Sequence, residues 1–168
     1  MCQTSSSEMD LAYYQSPLGL LAISGNEQFI TGVKFAHEVT ISTLSPSSEI
    51  ENCITQLDEY FYAGRKRFTV NIKPEGSKFA KNIWKLLLEI PYGTTISYQE
   101  LAKAYGNLNM IRAVGKANSK NPVAIIIPCH RVVGITGNLI GYAGGIENKK
   151  WLLDHEKASS PTGQLRLF

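Results

Sequence analysis

The sequence predicts a two-domain α+β protein with its strands early in the chain and its helices late. Three observations carry this expectation. Leu11–Tyr14, Leu18–Ser24 and Phe29–Phe35 are short apolar or alternating runs bounded by turn residues, the pattern of half-buried strands. From Phe79 onward the apolar residues recur at three- and four-residue spacing, the period of helices. Between these regions the charge changes sign. Residues 1–60 hold one basic and eight acidic residues, net −7, whereas residues 61–168 hold sixteen basic and six acidic, net +10.

In order along the chain, residues 1–9 read as a polar tail. Ser16-Pro17-Leu18-Gly19 turns the first strand into the second, and Ser42–Ser48, with Pro46 inside it, is a loop. Ile50, Cys53, Ile54, Leu57, Tyr60 and Phe61 share one helical face that ends near Gly64. Phe68–Ile72 reads as a further strand, closing a first domain over 1–74. The second domain, 75–158, opens with a helix whose stripe is Phe79, Ile83, Leu86, Leu87 and Ile90, halted by Pro91. Ser97 and Glu100 form a capping box for a helix over 98–105, which Gly106 ends. A second short helix runs from about Asn109 to Asn118 with Ile111, Val114 and Ala117 inward. Two short helices joined by a glycine-containing turn are the helix-turn-helix pattern. Val123–Ile127 reads as a buried strand, a glycine-rich loop follows, and Glu147–Lys157 forms the last helix. Residues 159–168 read as a tail.

Composition is that of an ordinary globular protein, with 43% apolar and 18% charged residues in 168. The longest apolar run, Val123–Ile127, is far too short to span a bilayer, and the first ten residues lack the pattern of a secretory signal. The expected address is cytoplasmic, or nuclear in a eukaryote, with no membrane partner. Three cysteines (Cys2, Cys53, Cys129) leave at least one sulfur without a partner in the same chain. Neither they nor the three histidines show zinc-ligand spacing, so no metal and no cofactor are expected.

The basic excess of the second domain draws polyanions, and the helix-turn-helix makes DNA the leading partner. Within it Arg112, Lys116, Lys120 and Arg131 are candidate DNA contacts. The small Ala113 and Gly115 let the second helix press closely on a nucleic-acid backbone without reading bases. The chemistry points to Cys129. Cys2 lies in a polar tail and Cys53 on an apolar helix face. Cys129, by contrast, follows Pro128, precedes His130 and Arg131, and leads into a glycine-rich loop. A histidine or cationic neighbour favours a thiolate nucleophile. Glu156 is a candidate orienter of His130, and Asn121 before Pro122 a candidate brace for the loop. Cysteine, histidine and carboxylate suit acyl transfer as well as alkyl transfer, and composition does not separate the two.

Ile127-Pro128-Cys129-His130-Arg131-Val132, Gly141-Tyr142-Ala143-Gly144-Gly145 and Trp151–Glu156 resemble the O6-alkylguanine-DNA alkyltransferase family. So do Ile90–Gly93 with Ser97-Tyr98, and Arg112–Gly115 with Asn121-Pro122. The match covers about 79–156, and a weaker one extends over Ser16–Gly19 and Gln56–Phe61. The resemblance implies a small ribonuclease-H-like amino-terminal domain and a mostly helical, winged-helix-like catalytic domain. It implies that Cys129 takes an alkyl group from O6 of guanine and keeps it as a thioether, one event per molecule. It assigns His130 to drawing off the thiol proton, Glu156 to holding the imidazole, Asn121 to propping the turn, and Tyr98 to helping flip the nucleotide and protonate the departing base. Arg112 would fill the vacated stack. Cys129 and Val132 would contact the guanine edge through their backbone, with Tyr142 and Ala143 as the pocket lid. The implied partner is double-stranded DNA carrying O6-alkylguanine, with O4-alkylthymine left open as a second lesion, and the protein is expected to act as a monomer.

Two departures stand out. Some family members bind zinc in the amino-terminal domain, where this chain has Asn26 and Thr31. Where some carry a pocket proline, this chain has Ala124, which weakens the expectation of binding bulky O6-benzylguanine. The rival readings are a lesion-binding relative without repair activity, a winged-helix regulator and a Cys–His hydrolase. The first lacks the cysteine that this chain has, the second ignores it, and the third leaves the DNA-binding pattern unused.

Overall fold

The computed structural model describes residues 9–159, so Cys2 and nearly all of the 159–168 tail lie outside the described residues. The chain divides into two compact units, Met1–Pro74 and Glu75–Phe168.

In the first unit β1 (Asp10–Ser16), β2 (Gly19–Gly25) and β3 (Ile30–Ala36) form an antiparallel sheet in chain order. Gly19 takes φ +109°, and the Ser16 hydroxyl donates to its carbonyl at 2.6 Å, which closes the first turn. Asn26 Oδ1 accepts from the backbone of Gln28 and Phe29 and closes the second. One sheet face buries Leu21, Ile23 and Val33 against Ile50, Cys53, Leu57 and Tyr60 of α1 (Ser48–Tyr62), the apolar stripe of that helix.

Phe68–Ile72 does not become a strand. It touches the sheet through a parallel bridge, Ile30 to Ile72, while two of its backbone donors turn to α1. Gln56 Oε1 accepts from Thr69 N at 2.8 Å, and Glu49 Oε1 from Asn71 N at 2.7 Å. Side chains of the helix satisfy the backbone that a neighbouring strand would otherwise pair.

The second unit is mostly helical. α2 (Lys78–Leu88) is capped by Ser77 and buries Ala80, Ile83, Trp84 and Leu87. Trp84 Nε1 donates to Ala117 O at 3.0 Å and so ties α2 to the helix-turn-helix. β4 (Ile96–Ser97) leads directly into α3 (Tyr98–Tyr105). Both halves of its capping box are made, with Glu100 N to Ser97 Oγ at 3.1 Å and Ser97 N to Glu100 Oε2 at 2.6 Å. Gly106, at φ +98°, ends α3, and a single turn at 108–110 precedes α4 (Ile111–Ser119). Ile111, expected inward, is 38% exposed, because the inner face of α4 is Val114, Ala117 and Asn118.

Val123–Ile127 is buried but is not a strand. Ile125 adopts φ +72°, Ile126 N bonds Ala124 O and Ile127 N bonds Val123 O, so the run folds back on itself. A run of β-branched residues reads as a strand locally, and tertiary packing overrides it. Beyond it lie a short 3-10 turn (Cys129–Arg131), β5 (Val132–Val133) paired in parallel with β4, the 134–145 loop, and α5 (Ile146–Ala158). A Cβ at Gly134 would meet the end of the exposed Asn138 side chain, so a larger residue there requires that side chain to move.

Candidate active site

Cys129 opens the 3-10 turn and is only 5% exposed. Asn121 Nδ2 lies 3.1 Å from its sulfur and also donates to Ile127 O at 2.8 Å. Asn121 Oδ1 accepts from Val123 N at 2.9 Å, so one amide spans the turn and reaches the thiol. From α4, Asn118 Nδ2 donates to Cys129 O at 3.4 Å, and Val132 N closes on the same carbonyl. Burial pushes the Cys129 thiol up from its ordinary pKa. The Asn121 hydrogen bond, the Lys149 charge and local backbone donors pull the other way.

His130 and Glu156 are both fully buried, with Nε2 2.8 Å from Glu156 Oε1. Glu156 also accepts from Gly93 N at 3.1 Å, and from Arg131 Nε and Nη2, each at 2.9 Å. Burial alone would raise the Glu156 pKa. The hydrogen bonds from His130 and the charged fork of Arg131 outweigh it and hold the carboxylate well below the usual range. Burial lowers the His130 pKa. Glu156 opposes that shift and the Arg131 and Lys149 charges reinforce it, so the imidazole is neutral at neutral pH. An ionised carboxylate only accepts, which puts the imidazole proton on Nε2. Nδ1, buried with no hydrogen-bond partner in the structure, therefore carries the lone pair of a base.

Arg131 corrects the sequence reading. Expected on the DNA-facing surface, it is 7% exposed, with Nη1 donating to Ile90 O at 2.6 Å and its other contacts on Glu156. Its guanidinium is spent on a buried carboxylate rather than offered to phosphate. Arg112, Lys116 and Lys120 do lie on the exposed side of α4 and its end, with Ala113 and Gly115 half-buried between them. Tyr98, at the start of α3, donates to Ile140 O at 3.0 Å, and burial pushes its pKa up. A Cβ on Gly115 would rest 3.6 Å from the Tyr98 ring. The Tyr142 ring stands edge-on to His130 at 6.5 Å, while Ala143 beside it is exposed.

The structure thus gathers Cys129, Asn121, His130, Glu156 and Tyr142 around one buried turn and leaves Arg112, Lys116 and Lys120 outside it. Sequence reasoning missed Asn118, Lys149 and the inward turn of Arg131. A signal for Lys149 existed, since it shares the i, i+3, i+7 face of α5 with Leu152 and Glu156, and all three are buried. A cleft of about 700 Å³ lies elsewhere, between α3 and residues 133–137, and Cys129 does not line it. Among the described residues, no group of three His, Cys, Asp or Glu side chains is placed to hold a metal ion. Nor is any helix among them long and apolar enough to cross a membrane.

Residues 9–74 match the family profile described as the ribonuclease-like domain of 6-O-methylguanine DNA methyltransferase, and residues 78–158 the profile of its DNA binding domain. A methylated-DNA–protein-cysteine methyltransferase of Methanosarcina acetivorans is 42% identical over 153 residues, 88% of this chain and 98% of the relative. The chain belongs to the 6-O-methylguanine DNA methyltransferase family. Another relative of that name, from Mycobacterium leprae, is 40% identical over 84% of this chain and 88% of its own. The Mycobacterium tuberculosis O6-methylguanine methyltransferase superposes with TM-score 0.82 at 38% identity, covering 92% of this chain and 96% of that one. A Mycobacterium tuberculosis OGT solved in complex with DNA superposes with TM-score 0.79 at 39% identity over 89% and 94% of the two chains. Membership makes direct-reversal DNA repair the activity of this chain and DNA its partner.

Proposed function

We propose that Cys129 is the acceptor for an alkyl group, chiefly methyl, carried on O6 of guanine in duplex DNA. The observation that carries this reading is a buried thiol touched by Asn121, in the same turn as a neutral histidine whose outer nitrogen is held by an ionised carboxylate. His130 draws off the thiol proton through a water, and Glu156 stabilises the imidazolium that forms. The sulfur forms its bond to the alkyl carbon as the O6–carbon bond breaks. That bond's electron pair stays on guanine, which takes up one proton, so the thiol proton lost and the base proton gained balance. Tyr98, whose pKa burial and the Cys129 charge both raise, is the donor for that step. The product is a thioether with no route back, and each molecule reacts once.

A thiol that is 5% exposed cannot meet a base still stacked in a duplex, so the nucleotide must be turned out. Arg112, on the exposed side of α4, is the residue that fills the gap from the minor groove. Tyr142 and Ala143 cover the base, and Lys116 and Lys120 hold phosphate. The protein works as a monomer in the compartment that holds the DNA, the cytoplasm in a prokaryote. Incubation with an O6-methylguanine duplex followed by peptide mapping should place a single methyl on Cys129; a methyl on Cys2 or Cys53 instead would overturn the assignment. Arg112→Ala should slow reaction with the duplex strongly and spare the slow reaction with free O6-methylguanine. Equal losses on both would move Arg112 into the pocket.

A further inference from the structure

Asn118 sits on the inner face of α4, only 1% exposed, one residue beyond the Ala117 carbonyl that Trp84 holds. Its Nδ2 donates to Cys129 O at 3.4 Å, which fixes the amide, because the reversed arrangement would set two acceptors face to face. Tyr98 lies against the same helix, since a Cβ on Gly115, three residues earlier, would rest 3.6 Å from its ring. Burial and the Cys129 charge push the Tyr98 phenol up, and the Asn118 amide, donating toward it, pulls the other way. The amide nitrogen thus reaches both Cys129 and Tyr98, the two residues assigned to the reacting base. The amide oxygen is different: Asn118 Oδ1 is buried with no hydrogen-bond partner among the described residues. A buried acceptor left unmet is destabilising, and an apolar side chain, such as Val114 on the same face, carries no such cost. Neighbouring acceptors are already met. Cys129 O takes Asn118 Nδ2 and Val132 N together, and Asn121 Oδ1 takes Val123 N.

We propose that Asn118 sets lesion specificity, its Oδ1 accepting a hydrogen bond from the exocyclic amine of O6-alkylguanine once the nucleotide is turned out. The proposal rests on the reading of Cys129 as acceptor of the alkyl group from that base. Alkylation of O6 leaves guanine N1 without a proton, so the amine at C2 supplies the donors on that edge of the base. An O4-alkylthymine has no N–H there, because its alkylated edge holds only acceptors. Beside O6-alkylguanine, Oδ1 gains a donor; beside O4-alkylthymine it stays unmet. A buried group built to hydrogen-bond a substrate discriminates against an analogue lacking the partner far more sharply than a shape fit does. The role is recognition alone: no bond breaks and no proton moves at Asn118.

The test compares two bases in one duplex sequence, O6-methylguanine and O6-methylhypoxanthine, which differ only by the amine at C2. Second-order rate constants for methyl transfer to the full chain are measured for each, and the methyl is mapped. A wrong acceptor shows in the mapping, whereas a wrong role for Asn118 shows in the rates. Asn118→Leu, close in shape, should lower the ratio of the guanine rate to the hypoxanthine rate about tenfold, the scale of one hydrogen bond. If Asn118 only holds α4 to the Cys129 turn, both rates fall alike and the ratio stays as it is, a result that would overturn the proposal. A second measurement keeps Asn118 in place. Its side-chain amide resonance is followed by NMR in Cys129→Ala protein as each duplex is added. The resonance should shift with O6-methylguanine and not with O6-methylhypoxanthine, and the same response to both would equally overturn the assignment.

Discussion

Two buried cysteines in one chain, Cys53 and the proposed acceptor Cys129, lie in opposite electrostatic surroundings. Cys53 on α1 has no exposed surface, and burial, with the charge of Glu49 adding to it, pushes its thiol up to about 12. Cys129 is almost as buried, yet Asn121, Lys149 and backbone donors work against the same penalty. Burial by itself silences a thiol; what differs at Cys129 is the set of groups that welcome a negative charge without admitting water. The difference is also one of architecture. Cys53 lies mid-helix, where the backbone donors around it are spent on the helix itself, whereas Cys129 lies at a sharp turn whose donors point inward.

The strongest way to break this comparison is to exchange the fates of the two sulfurs. Cys129→Ala should abolish methyl acceptance altogether, and Cys53→Ala should leave it complete while costing about 1 kcal/mol of stability, the scale of one lost buried group. Mass measurement after reaction and denaturant unfolding check both halves. Next in size is Arg131→Met, which strands the Glu156 carboxylate in the interior. Losing one partner of a buried pair costs about 3–5 kcal/mol, read by denaturant unfolding, whereas DNA affinity at fixed salt should hardly change. The pH dependence has a definite sign. Glu156 and His130 both have folded-state pKa values below their ordinary ones, so the stability they contribute is present above those ordinary values and is lost as pH falls through the folded ones. Removing Arg131 raises the folded value of Glu156 and shifts that acid loss to higher pH. A smaller effect follows alkylation itself. A methyl on Cys129 overpacks a tight site at about 1–3 kcal/mol, so methylated protein should melt below the free form. An equal or higher midpoint would mean the turn has room that its burial does not suggest.

The smallest expected effect extends the contrast to the surfaces of the two regions, acidic over residues 1–60 and basic beyond. Lys116→Ala should weaken binding to all duplex sequences alike and reduce the salt slope by about 1. Neutralising the exposed Glu51 on α1 should not weaken binding.

Legibility in the sequence follows the range of the interactions. The capping box of Ser97 and Glu100 and the stop at Gly106 are settled within a few residues, and they stand in the structure as the spacing predicts. The two-domain α+β class was legible for the same reason, because strand alternation and helical stripes are local periodicities. Phe68–Ile72 misled because its partners, Gln56 and Glu49, come from a helix well upstream. Arg131 misled because charge alone marks a surface residue, and only the fold brings Glu156 to it. Lys149 was hidden for the converse reason: its one signal, the face it shares with Leu152 and Glu156, is weak beside the charge of a lysine next to another lysine at the start of a polar helix.

Ile125 has a consequence for how this sequence is free to change. Its φ of +72° places a β-branched side chain in the left-handed region, a backbone cost of about 1–2 kcal/mol for an L-residue, while its side chain is only 1% exposed. Glycine would relieve the backbone but would empty a core position, and truncating an isoleucine there costs about 2–5 kcal/mol. Asparagine, the other residue at ease in that region, would bury an amide with no partner provided for it. Both of these steps away from isoleucine therefore go uphill before any gain can appear. Near the Cys129 turn, the two residues that would relax the backbone are blocked by the core, and either becomes accessible only after a neighbouring core residue has changed first.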